Sequence, residues 1–187
     1  MLLWPGAGSD AEHPGLRAVE AGVAPLRVAR RDFPYRREGR RAPDRAPKLM
    51  AAVRAEVDEL CRRWGTGPEH LVLGGRSMGG RICSMVAAGA DGEGPLPVAG
   101  LVLMSYPLHP PGRPDRLRTE HLPQLRVPVL FISGDRDTFG TPGELAEAQA
   151  LIPGPVRSVT LAGKGHDLKR SDDAVVAAIK DWLRPPG

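Results

Sequence analysis

The most chemically pointed feature of the chain is a serine with glycines two positions away on both sides, Gly75-Arg76-Ser77-Met78-Gly79. A G-x-S-x-G serine is suited to nucleophilic attack when it sits in a tight turn between a strand and a helix, with strained dihedrals. Side chains two positions away would crowd such a turn, and Gly74, Gly75, Gly79 and Gly80 leave the space open. The same turn places Ser77 at a helix N-terminus, where free backbone N–H groups, that of Met78 first, can stabilise developing negative charge. A glycine turn can also hold phosphate or simply cap a helix. No G-K-[ST] sequence supports a phosphate loop here.

A serine nucleophile needs a base, and a residue to orient that base. On α/β sheets with a nucleophile elbow, the acid and then the histidine stand downstream, each in a loop just after a strand. Both places are filled. The apolar run VPVLFISG is followed by Asp135, Arg136 and Asp137, and SVTLAG is followed by Lys164, Gly165 and His166. His166 fits the order. His13 opens a helix, His70 stands at the wrong end of a strand, and His109 and His121 lie in an irregular insert. Asp137, three residues after Gly134, is the first choice of acid, and Asp135 is the alternative, with turn capping as its ordinary use. A second oxyanion donor is expected in Trp4-Pro5-Gly6-Ala7-Gly8, which is similar to the HG-type loop of esterases with Pro5 in place of His. Ala7 is the chosen backbone donor, with Gly6 and Gly8 as neighbours able to serve. Arg76 and Met78 flank the nucleophile and are expected at the pocket wall.

These residues require a sheet whose strands end together. Short apolar runs alternate with helical periods, the signature of an α/β fold with a mostly parallel central sheet and helices on both faces. Strands are expected at 2–4, 26–33, 70–74, 98–105, 128–133 and 156–161, and helices at 13–24, 48–64, 77–90, 141–151 and 171–183. Pro185 and Pro186 are expected to end the last helix. LVLGG, VAGLVLMS and VPVLFISG are nearly continuous apolar runs, as central strands buried on both faces must be. Residues 106–127 are Pro-rich, with at most one short helix around 115–121. That is too little for a large lid and implies an open, shallow pocket. No repeat or long linker divides residues 1–187, which are expected to form one domain.

Composition narrows the function classes. The 187 residues are 41% apolar and 26% charged, a globular balance. No run approaches the 18 or so apolar residues of a membrane span, and the start lacks a cationic leader. Cys61 and Cys83 supply neither a disulfide framework nor a zinc site, so a cytoplasmic location is expected. Of 26 cationic residues only Lys48, Lys164, Lys169 and Lys180 are lysine, an arginine bias that a net charge of +4 reflects. That charge permits nucleic-acid contact without arguing for it. Eight arginines lie between Arg27 and Arg45, with Asp32, Glu38 and Asp44 among them. The plain expectation is a solvated, locally paired loop; the sharper one puts Arg36, with Arg76, at an anion-recognising pocket rim.

Together these features resemble the α/β-hydrolase superfamily, close to its dienelactone-hydrolase-like members. A narrower resemblance covers nearly the whole chain. PGAGSD, RDFPYRREGRRAPDR, GGRSMGG, SYPLHPPGRPDRLRTEHLP and VPVLFISGDRDTFGTPGEL are similar to bacterial relatives of the hydrolase-like domain of an NSL chromatin-complex subunit. The resemblance implies this fold and a serine hydrolase triad of Ser77, His166 and Asp137; the small insert makes a short acyl ester or thioester the default substrate, and no metal or organic cofactor is expected. The resemblance also carries a second reading, a non-catalytic interaction protein on the same fold. Such hydrolases usually have one or two strands before the one leading to the oxyanion loop. The expectation is therefore a reduced sheet of about six strands, or a start that lies upstream.

Overall fold

The computed structural model describes residues 1–184, so Pro185 and Pro186 lie outside the described residues. Six strands form one sheet: β1 (Leu2–Trp4), β2 (Ala29–Arg30), β3 (Val72–Arg76), β4 (Gly100–Met104), β5 (Val129–Gly134) and β6 (Val156–Leu161). Their order is β2-β1-β3-β4-β5-β6 and every neighbouring pair is parallel. Parallel neighbours need crossover connections. Most of these are helical, using α1 (Pro14–Gly22), α2 (Pro34–Arg37), α3 (Ala46–Trp64), α4 (Met78–Ala87) and α5 (Pro142–Gln149), with α6 (Asp172–Trp182) after the last strand.

Strand residues alternate between faces, and each face buries its own cluster. Leu2, Trp4, Leu73, Leu101, Leu103, Val129 and Phe131 pack against α3, α4 and α5. Leu3, Val102, Met104, Leu130 and Ile132 pack against α1 and α6 through Leu16, Val19, Val175 and Ile179. This two-sided burial is why β4 and β5 read as unbroken apolar runs. Truncating one of these side chains, as in Leu101→Ala, removes apolar area and leaves a cavity, at a cost of about 2–5 kcal/mol.

Three elements differ from the sequence expectation. The strand at 26–33 shrinks to Ala29–Arg30, because it pairs only at the sheet edge with three-residue β1. The chain then turns into α2, and Phe33 stacks on Trp4 with ring centroids 4.4 Å apart. β3 starts at Val72 because Pro68–His70 form a 3-10 turn, which carries the strand through to Arg76. The short helix at 115–121 is absent; the only helical turn between β4 and β5 is a 3-10 turn at Leu122–Gln124. The carboxyl edge of the sheet therefore has no large lid.

Strand order reverses direction between β1 and β3, and the crevice beyond the carboxyl ends of such a pair is where open α/β sheets bind ligands. Residues 5–9 leave β1 there, and Ser77 follows β3 directly.

Candidate active site

Ser77 joins β3 to α4 with φ 48° and ψ −118°, a conformation L residues rarely adopt. The glycines make it possible. A Cβ on Gly75 or Gly79 would collide with the Trp4 carbonyl oxygen, and one on Gly80 would stand 2.8 Å from the Gly75 carbonyl oxygen. The Ser77 N–H donates to Met104 O at 2.8 Å, which fixes the turn to β4.

The residues singled out in sequence converge. Ser77 Oγ lies 2.8 Å from His166 Nε2, and His166 Nδ1 lies 2.8 Å from Asp137 Oδ2 and 3.0 Å from Oδ1. With the proton on Nδ1 donated to the carboxylate, Nε2 is the acceptor for the serine hydroxyl. Asp137 is 4% exposed, and its Oδ1 also accepts the Phe139 N–H at 2.8 Å. Asp135 is exposed and takes no part in this chain of bonds. The Phe139 ring stacks on the imidazole at 4.0 Å, so two contacts set the ring plane.

Met78 opens α4, and neither its N–H nor that of Ala7 has a backbone partner among the described residues. The loop carrying Ala7 is pinned at two carbonyls. Gly6 O accepts from Ser9 N–H at 3.1 Å, and Ala7 O accepts from the Tyr35 hydroxyl at 3.0 Å. Planar peptides transmit that orientation to the N–H groups between them. Gly6, Ala7, Met78, Ser77 and His166 all line one cavity of about 610 Å³.

Of the two arginines expected at a rim, Arg76 lines the cavity and Arg36 does not. Arg36 goes to Asp10 at 3.4 Å and is not among the residues lining this cavity. Arg76 does line it, but its guanidinium is engaged. It meets the His13 ring and donates to the carbonyls of His166 (3.3 Å) and Asp167 (2.9 Å). Burial pushes the Arg76 pKa down. Arg76 thus ties the strand before the nucleophile to the loop that carries the base.

Cys83, His109 and His121 are structural in placement. Burial pushes the Cys83 thiol well up, out of the range of a nucleophile. His109 lies against Pro110 O and Glu144, and His121 against Ser84. No group of three or more His, Cys, Asp or Glu side chains able to hold a metal occurs among the described residues. No helix among them is long and apolar enough to cross a membrane.

Several residues of the site escaped the sequence reading. Phe139 was signalled only by standing two residues after Asp137, and Arg81 only by its i+4 spacing from Ser77. Tyr35 and Arg118 come from irregular segments whose path no periodicity reports.

A parallel sheet with a strained serine at its switch point, bonded through histidine to a buried aspartate, defines a hydrolase-type fold and site. A family model described as alpha/beta hydrolase domain matches residues 1–181, and the chain belongs to that family. Among solved structures it is similar to Est1E from Butyrivibrio proteoclasticus, with 16% identity, TM-score 0.77, and 97% of this chain against 85% of that one. It is also similar to a thermophilic esterase from Thermogutta terrifontis (20% identity, TM-score 0.70, 98% of this chain and 88% of that one). The type II thioesterase BorB from the borrelidin biosynthetic cluster matches at 19% identity and TM-score 0.68, over 98% of this chain and 91% of that one. Polyketide synthase ThaQ of Burkholderia thailandensis is 35% identical over 71 residues, which are 35% of this chain and 3% of that protein. The chain therefore spans a small fraction of the length of that curated relative.

Proposed function

We propose that the protein is a serine hydrolase that cleaves a small acyl ester or thioester through an acyl-enzyme. One observation carries the reading: the continuous hydrogen-bond chain from Ser77 Oγ through His166 to Asp137. Ser77 Oγ attacks the acyl carbon while His166 Nε2 takes its proton. The proton then passes to the leaving alcohol or thiol. Water, deprotonated by the same nitrogen, attacks the acyl carbon and releases the acid, returning the proton to Ser77. Asp137 holds the imidazole in the required tautomer and offsets the positive charge it gains. The N–H groups of Met78 and Ala7 receive the oxyanion, a contribution of about 3–4 kcal/mol per donor in comparable sites.

The choice of ester or thioester is supported by an esterase and a thioesterase among the similar structures, and by an edge without a large lid. The test is labelling with a fluorophosphonate probe together with turnover of 4-nitrophenyl esters of increasing acyl length. Wild type is expected to label at Ser77, and Ser77→Ala to lose the label and roughly 10⁴-fold or more in kcat. A folded protein that neither labels nor turns over any ester overturns the proposal in favour of an interaction protein on a hydrolase fold.

A further inference from the structure

An arginine in a protein wall normally ends on a carboxylate or carbonyl, because a buried unpaired donor costs about 1–3 kcal/mol. Arg81 does not. It stands one turn beyond Ser77 in α4, where its N–H donates to Ser77 O at 3.0 Å. Its side chain lines the Ser77 cavity. Its Nε is buried with no hydrogen-bond partner, and no carboxylate reaches ion-pair distance of the guanidinium among the described residues.

Arg118 lines the same cavity from the β4–β5 connection. Its backbone is anchored at both ends: its N–H donates to Leu108 O at 2.8 Å, and its carbonyl accepts from the Tyr106 hydroxyl at 2.7 Å. One terminal nitrogen donates to Pro107 O at 3.2 Å, and no ion pair occupies the rest. Burial and then the charge of Arg81 lower the Arg118 pKa, and Glu120 gives only the smallest opposing pull. Asp167, the one carboxylate lining the cavity, is turned to Lys169 at 3.1 Å. The neighbouring His121 is held neutral against Ser84 and adds no further positive charge.

Two like charges held together in a partly dry wall are costly unless a shared anion sits between them. We propose that Arg81 and Arg118 form an anion subsite that takes a carboxylate or phosphate group of the acyl substrate beside Ser77. The assignment rests on the serine-hydrolase reading for its geometry relative to the acyl carbon. A planar guanidinium fork suits either anion through paired, charge-assisted hydrogen bonds. Both arginines line the same cavity of about 610 Å³ as Ser77, so the anion and the acyl carbon belong to one short substrate. Half-esters and half-thioesters of short dicarboxylic acids fit that description, as do their phosphonate counterparts.

The experiment has two independent readouts. The first compares kcat/KM for 4-nitrophenyl hydrogen glutarate and 4-nitrophenyl butyrate in wild type, Arg81→Gln and Arg118→Gln. Wild type is expected to favour the anionic ester at least 10-fold at low salt, and each variant to cut that ratio about 10-fold. The second is calorimetric binding of glutarate and of inorganic phosphate, which needs no turnover. Binding of glutarate alone assigns a carboxylate and binding of phosphate alone a phosphate, each lost in Arg81→Gln. If neither anion binds, the subsite is overturned whatever the enzyme does. A preference that survives both substitutions overturns it as well. Because Arg118 sits on an irregular connection, it keeps the test open if Arg81→Gln fails to fold. Labelling of Ser77 without any anionic preference would sink the subsite and leave the hydrolase reading standing. Anion binding without labelling would do the reverse.

Discussion

Residues 27–45 hold eight arginines in sequence and the cavity wall holds three, Arg76, Arg81 and Arg118, yet charge is handled in opposite ways in the two regions. In the first, Arg30 meets Glu12 and Glu20, Arg31 and Arg37 share Glu56, Arg36 meets Asp10, and Arg40 meets Glu38 and Asp44. Arg27, Arg41 and Arg45 point to water. In the second, only Arg76 is fully engaged, and through carbonyls and a histidine rather than acids. Crowding of charge along a chain says little about function, because acids brought in from other elements, Asp10, Glu12, Glu20 and Glu56, pair with much of it. What matters is whether folding leaves a cation beside a cavity with nothing to bond.

The largest expected effect tests the elbow side. Asp137→Asn should lower kcat roughly 10⁴-fold by releasing the imidazole tautomer, while Asp135→Asn changes it less than about 3-fold. A loss confined to Asp135→Asn in steady-state kinetics would reassign the acid. Next comes a pH effect next to Arg81. Burial first, and the Arg81 charge second, hold the His121 pKa at about 4 against an ordinary 6.5. The unfolded chain takes up this proton first. Stability from His121 is thus complete above pH 6.5, falls as pH drops towards 4, and amounts to roughly 3 kcal/mol. Thermal unfolding across that window should show the decline, and His121→Gln should flatten it. Arg81→Gln should narrow it, by raising the His121 pKa.

A smaller effect belongs to the arginine-rich region. Glu56 is 8% exposed and accepts from two arginines, so Glu56→Ala should cost about 2 kcal/mol, or about 4–8 °C in Tm, with ester turnover unchanged. The smallest sharpens the contrast directly. Arg36→Gln should leave the anionic-to-neutral kcat/KM ratio within about 2-fold of wild type; a fall as large as that expected for Arg81→Gln would return anion recognition to the loop.

Legibility in the sequence followed the range of the interactions involved. The elbow was readable because its strained turn spans five consecutive residues, and the spacing G-x-S-x-G records it even though the atom that excludes side chains at Gly75 and Gly79, the Trp4 carbonyl oxygen, comes from β1. β4 and β5 were readable because burial on both faces makes a strand wholly apolar. The second strand was over-read, since apolar residues recur across 26–33, while its length is set by a three-residue partner. The choice between Asp135 and Asp137 stayed open in sequence because both share one turn. The fold separates them, burying one against His166 and exposing the other. Arg36 was misplaced because a loop's path depends on which acid it meets, here Asp10.

By itself the sequence determined the order of serine, aspartate and histidine, the mostly parallel sheet with helices on both faces and the glycine-lined turn. All of these follow from local sterics and from the periods of buried strands and helices. Only the tertiary structure decided which arginines are neutralised and which face the cavity. Pairing of charges depends on distances between residues tens of positions apart, and no spacing in the chain encodes those distances.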